Sequence, residues 1–173
     1  MAMSAIDSII REAAREFVER VFSSPPWQGR EAEAISLFAF GHLLSRCKKG
    51  SVLCDPTQIA IEACVPGVPE LNPKGRVNKD LVIWPLPRMS LWKDNWEEGN
   101  EPLAVMEWKV FRPETRAPLL SRYDLDWLKK FSKGPRLAEF VGYAVWLDLA
   151  QRGHKFTAAR VQNGHKEDRW LEV

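Results

Sequence analysis

The chain has 173 residues, 45% of them apolar and 28% charged, enough for one hydrophobic core and unlike a disordered chain, a fibre or a disulfide-stapled mini-protein. A formal net charge of +2 selects no partner by itself. Its distribution is uneven: between Lys109 and Arg136 eight basic residues (Lys109, Arg112, Arg116, Arg122, Lys129, Lys130, Lys133, Arg136) meet three acids (Glu114, Asp124, Asp126), a local charge of +5 that suits either a polyanion or a solvated helix face.

The first element is an amphipathic helix over Ser4–Ser23, with Ile6, Ile9, Ile10, Ala13, Phe17 and Val21 at three-to-four spacing and Ser4 and Asp7 placed as a capping box. Its charges (Arg11, Glu12, Arg15, Glu16) interrupt the apolar stretch that a secretory signal requires, and no run of 18 apolar residues offers a membrane span. Cys47, Cys54 and Cys64 are an odd set without a CxxC pair, which points to a reduced, cytoplasmic protein. Ser-Ser-Pro-Pro at 23–26 ends the helix, and a second one is expected from Arg30 to Cys47, with Glu31 and Glu33 at the positive end of its dipole.

Beyond Gly50 the period becomes two. Residues 59–65 predict a strand, 76–84 a second and 103–111 a third, with an irregular proline- and tryptophan-bearing stretch over 85–102. Trp92 and Trp96 in that stretch suit either contact with nucleobases or a partner, or packing over the sheet edge. A helix is expected over Asp124–Lys133, stopped by Gly134-Pro135. Residues 140–149 fit a buried helix or a buried strand; Gly142 and the Val, Tyr and Trp content favour the strand. A strand over 156–161, an Asn163-Gly164 turn and a short strand over 170–173 complete the chain. The expected fold class is a single α/β domain with a central mixed sheet flanked by helices.

Charged residues interrupt two of these strands. Asp80 precedes the apolar run Leu81–Trp84, and Glu107 and Lys109 lie two apart on one face of the third strand, opposite Met106, Trp108 and Val110. A carboxylate and an ammonium in an apolar strand are costly unless paired or serving a metal. If the two strands are neighbours, Asp80 and Glu107 converge as oxygen ligands suited to a hard divalent cation.

This arrangement resembles the PD-(D/E)xK nuclease superfamily, the restriction-endonuclease-like fold: an acid at the start of one strand, then an acid-x-Lys triplet on the next, in an α-β-β-β-α-β core. Asp80 matches the first acid, Glu107 the second and Lys109 the lysine; Glu107-Trp108-Lys109 is the chain's one (D/E)xK triplet. Lys79 stands where the family usually has proline. Glu31, with Glu33 as alternate, matches the auxiliary glutamate that many members carry on the helix before the first core strand. By element order the resemblance covers residues 30–162, with 1–29 as an N-terminal helical extension and 163–173 as a C-terminal strand.

The resemblance implies a Mg²⁺- or Mn²⁺-dependent nuclease acting on phosphodiester bonds, in DNA more than RNA. Asp80, Glu107 and the Trp108 carbonyl would hold the metal, Lys109 would orient the attacking water and Glu31 would assist. Arg112, Arg116, Arg122, Lys129, Lys130 and Lys133 would grip backbone phosphates. By analogy a homodimer or larger assembly is expected. A non-catalytic nucleic-acid-binding or protein-interaction module on the same fold is the alternative. No HxH or HExxH pattern joins His42, His154 and His165, and no GxGxxG or P-loop occurs.

Overall fold

The chain forms six strands: β1 (Ile59–Pro66), β2 (Arg76–Ile83), β3 (Ala104–Phe111), β4 (Val141–Asp148), β5 (Phe156–Gln162) and β6 (His165–Glu172). In the computed structural model, which describes residues 4–23, 27–93, 95–113, 122–134, 139–150 and 155–173, they form one sheet in the order β1-β2-β3-β4-β5-β6. Neighbours are antiparallel except β3 and β4, which run parallel from Ala104↔Val141 to Phe111↔Asp148. A parallel pair needs a crossover, and helix α3 (Arg122–Phe131) lies in it. The result is a single α/β domain with a mixed sheet.

Helices α1 (Ala5–Val21) and α2 (Glu31–Phe38) cover one face. The apolar stripe of α1 (Ile6, Ile10, Ala13, Phe17, Val21) is buried against Leu81, Met106, Trp108 and Tyr143. The first helix, although outside the core span expected from element order, is therefore part of the packed core. A buried polar clamp adds to this: Asp7 Oδ1 accepts from Tyr143 Oη (2.7 Å) and Arg160 Nε (2.9 Å), and Asp7 Oδ2 from the Ser4 amide (2.6 Å). Burial alone would raise the Asp7 pKa; bonds from Arg160, Tyr143 and Ser4 outweigh it and hold the carboxyl below its ordinary range.

α3 covers the opposite face through Trp127, Leu128 and Phe131, packed with Val82, Val105, Phe140 and Ala144. It seats closely over β4: a Cβ on Gly142 would stand 2.7 Å from Leu128 Cδ2 and 3.3 Å from Leu128 Cβ. β4 is buried on both faces, which is why residues 140–149 carry no alternation of polarity.

Two elements differ from expectation. The second helix leaves α geometry after Phe38, continues as a π-helical turn over Ala39–Leu43 and ends as a 3₁₀ turn over Leu44–Arg46. The last strand is longer than residues 170–173, because the Asn163-Gly164 turn (φ +52° and +75°) sends the chain straight back along β5. In the 85–102 stretch the two tryptophans part: Trp92 pairs with Glu98 and lies under Arg76 at 5.5 Å, whereas Trp96 is 80% exposed.

Candidate active site

The site forms where β2 and β3 separate. Their ladder runs from Ile83↔Ala104 to Leu81↔Met106. The amide of Trp108, two residues further, donates instead to Asp80 Oδ2 at 2.7 Å. A side-chain carboxylate thus takes the place of a ladder carbonyl, and satisfying that amide fixes Asp80 against β3.

Strand β2 also turns over here. Leu81 and Ile83 pack in the core beneath α1 and α2, whereas the Lys79 ammonium lies 4.3 Å from the ring of Trp127 on the α3 side. Strict alternation would put all three on one face. The break coincides with Glu62 of β1, which has φ +50° and falls between the pairs Ile61↔Leu81 and Ala63↔Lys79.

As a result Lys79, 1% exposed at its side chain, forms an ion pair with Glu107, itself 6% exposed, and stands 3.8 Å from Asp124 Oδ1 of α3. Burial is the main influence on Glu107 and pushes its pKa above the ordinary carboxylate range, with Asp80 and Asp124 adding to this; Lys79 opposes it and favours the charged carboxylate. On the other side of β3, Trp108 is sealed among Phe17, Phe38 and Phe156, so β3 is anchored from one face and carries the charged groups on the other.

Lys109 and Glu31 meet at the open edge. Lys109 Nζ lies 3.1 Å from Glu31 Oε1 and donates to the Trp108 carbonyl at 2.6 Å, while the Val110 amide donates to Glu31 Oε2 at 3.3 Å. Burial works against the Lys109 ammonium, yet Glu31, Asp80 and Asp124 together raise its pKa above the ordinary lysine value. Glu33 turns elsewhere, accepting from the Arg30 amide at 2.5 Å as the helix cap. Of the two glutamates, Glu31 is the one at the cluster.

The structure therefore brings Asp80, Glu107, Lys109 and Glu31 into one neighbourhood and adds Lys79 and Asp124, whose roles the sequence pattern did not reveal. Glu107 and Lys109 share a strand face but each pairs with another residue. Among the described residues, no three His, Cys, Asp or Glu side chains are gathered tightly enough to hold a metal ion as they stand. The donor chemistry nevertheless fits a hard divalent cation: every candidate ligand is an oxygen, and a full positive charge, the Lys79 ammonium, already rests against Glu107. These six side chains comprise four carboxylates and two ammonium groups.

The basic residues spread along α3 and its approach. Arg112 is partly buried just past β3, and Arg122, almost fully exposed, stands 3.8 Å from Asp126 Oδ2. Lys129 is partly buried; Lys130 and Lys133 line an open cavity of about 360 Å³ that also exposes Glu70 and Glu101. Arg116 and Arg136 lie outside the described residues. None of the described helices is long and apolar enough to cross a membrane. Comparison of the chain with family models, with curated proteins and with solved structures gives no match, so the site rests on its own geometry.

Proposed function

We propose that this protein is a divalent-metal-dependent nuclease of the PD-(D/E)xK kind, hydrolysing phosphodiester bonds in DNA more than in RNA. The observation that carries the reading is the junction of β2 and β3, where Asp80 is bonded to the Trp108 amide and Glu107 and Lys109 flank that same residue. The order α2-β1-β2-β3-α3-β4 supports it as well, since it follows the α-β-β-β-α-β succession of a restriction-endonuclease-like core.

Asp80 and Glu107 would hold Mg²⁺ or Mn²⁺, with the Trp108 carbonyl released from Lys109 as a further oxygen. When bound, such an ion supplies Lewis acidity toward a phosphate and lowers the pKa of a water. Lys109, held by Glu31 at the open edge and one-quarter exposed, would orient the attacking water and offset charge developing on the phosphate oxygens. Glu31 would keep the ammonium on station. Arg112, Arg122 and the α3 lysines would hold backbone phosphates without reading sequence.

One observation favours the second reading, a nucleic-acid-binding module without cleavage: Glu107 is already neutralised by Lys79. Single-turnover cleavage of plasmid and linear DNA in Mg²⁺ and in Mn²⁺ separates the two. Cleavage by the parent that Asp80→Asn abolishes supports the nuclease. DNA binding without cleavage at any metal concentration up to tens of millimolar supports the module.

A further inference from the structure

We infer that Lys79 and a divalent cation compete for Glu107, so that the metal enters this site by displacing a cation built into the chain. The inference rests on the nuclease reading above and concerns a residue which that reading does not use. A metal-free carboxylate pair at a strand junction repels itself; here the repulsion is relieved from within. The Lys79 ammonium is nearly sealed from solvent, ion-paired to Glu107, 3.8 Å from Asp124 and 4.3 Å from the Trp127 ring, which makes a cation cage of two carboxylates and an aromatic face. An exposed lysine finds such a partner by chance. This one reaches it because β2 turns over at Asp80, swinging the Lys79 side chain from the face of Leu81 to the face of Glu107.

Two consequences follow. First, a divalent cation reaching Glu107 meets the Lys79 ammonium at close range, and the two like charges repel, so metal entry at Glu107 is opposed for as long as Lys79 stays there. Second, the displaced ammonium has a place to go without leaving the protein: Asp124 and the face of Trp127 lie beside it. Lys79 is thus a positioning residue that sets the metal concentration at which Glu107 is handed over.

The test is calorimetric titration of Mg²⁺ and Mn²⁺ into the full chain and into Lys79→Met, with Lys74→Met, an exposed lysine outside the cluster, as the control for the loss of one charge. Lys79→Met is expected to bind metal roughly tenfold to a hundredfold more tightly, since metal entry then no longer has to break the buried ion pair. Lys74→Met is expected to change affinity by no more than a few-fold. Because Lys79→Met leaves Glu107 buried without its partner, a measurement on the parent accompanies it: the side-chain ¹⁵N resonance of Lys79, assigned by its loss in Lys79→Arg, should move as Mg²⁺ saturates. If the parent binds metal and Asp80→Asn does not, yet Lys79→Met binds no more tightly or the Lys79 resonance stays still, the competition is refuted and the metal reading stands. If neither the parent nor Lys79→Met binds metal, both fall. If only Lys79→Met binds, the competition holds and the parent is the non-catalytic module.

Discussion

Lys109 and Asp80 both bond to the backbone of Trp108 but do different things to it: Lys109 takes the carbonyl and Asp80 the amide. Their variants should therefore fail differently. Lys109→Ala is expected to keep its Mg²⁺ affinity within a few-fold and to cleave two to three orders of magnitude more slowly, which is the cost of about 3–4 kcal/mol typical of losing a preorganised electrostatic group. Asp80→Asn retains an oxygen for the Trp108 amide and so should fold, while titration shows weakened metal binding because an amide is a poor ligand for a hard cation. Away from the site, His42 lies fully buried on the π-helical turn, edge-on to Phe17. Burial lowers its pKa, with Arg20 and Arg46 acting in the same sense and Glu16, 3.8 Å away, opposing them. A depressed histidine binds its proton in the unfolded chain first. Stability is therefore lost as pH falls below the ordinary value of 6.5, at roughly 1 kcal/mol per pH unit until the folded-state value is passed. Urea unfolding at pH 7.5 and 5.5 should show the parent losing more stability than His42→Leu across that interval.

Among elements, α1 and α3 do opposite work. α1 is fastened by the Asp7–Arg160–Tyr143 clamp, in which Asp7 and Arg160 are 0% and 2% exposed, and removing one partner strands the other charge in the core. Asp7→Ala should cost about 3–5 kcal/mol, read as a fall in the denaturant midpoint. α3 buries Trp127, Leu128 and Phe131, leaving Lys129 partly buried and Lys130 exposed. If Lys129, Lys130 and Lys133 hold phosphates, their joint replacement by alanine should flatten the salt dependence of DNA binding by nearly one unit of slope for each phosphate set free. An unchanged slope would assign them to the helix C-terminus, where cations meet the dipole, and to the neighbouring Glu70 and Glu101. Legibility in the sequence follows the same division. α1 and most strands announce themselves by one wet face or a turn signal at an end, whereas β4, buried on both faces, reads as helix or strand alike. The π-helical turn does not, since one added residue per turn erases the three-to-four pattern that marks a helix. Asp80, Glu107 and Lys109 stand out in the sequence by type and spacing, and Glu31, with Glu33 as its alternate, through the resemblance alone. Lys79 is visible as a residue yet illegible as a neighbour of Glu107, because its face depends on the break opposite Glu62, two strands' worth of geometry that no local window contains. Asp124 comes to the site through the crossover that brings α3 over the sheet, which is a matter of topology.

At the scale of the molecule, the sheet is a septum: aromatic packing from α1 and α2 fixes one side of β3, and the charged cluster works on the other, roofed by α3. The height of that roof is set at a residue remote in sequence from every acid in the site. Gly142 lets Leu128 rest on the backbone of β4, and a single methyl there would stand 2.7 Å from the Leu128 side chain and 3.3 Å from its Cβ. One helical turn before Leu128 is Asp124, and beside it Trp127 walls the Lys79 cage. Gly142 is thus a spacer whose thickness, zero carbon atoms, calibrates how firmly the roof presses on the cation beneath it. Gly142→Ala should lift α3 by a few tenths of an ångström and loosen Lys79 from Trp127 and Asp124 while leaving Asp80 on the Trp108 amide. Metal affinity would then shift in a variant that alters no charge and no ligand, so that the tuning of an electrostatic site in this protein is partly a question of architecture.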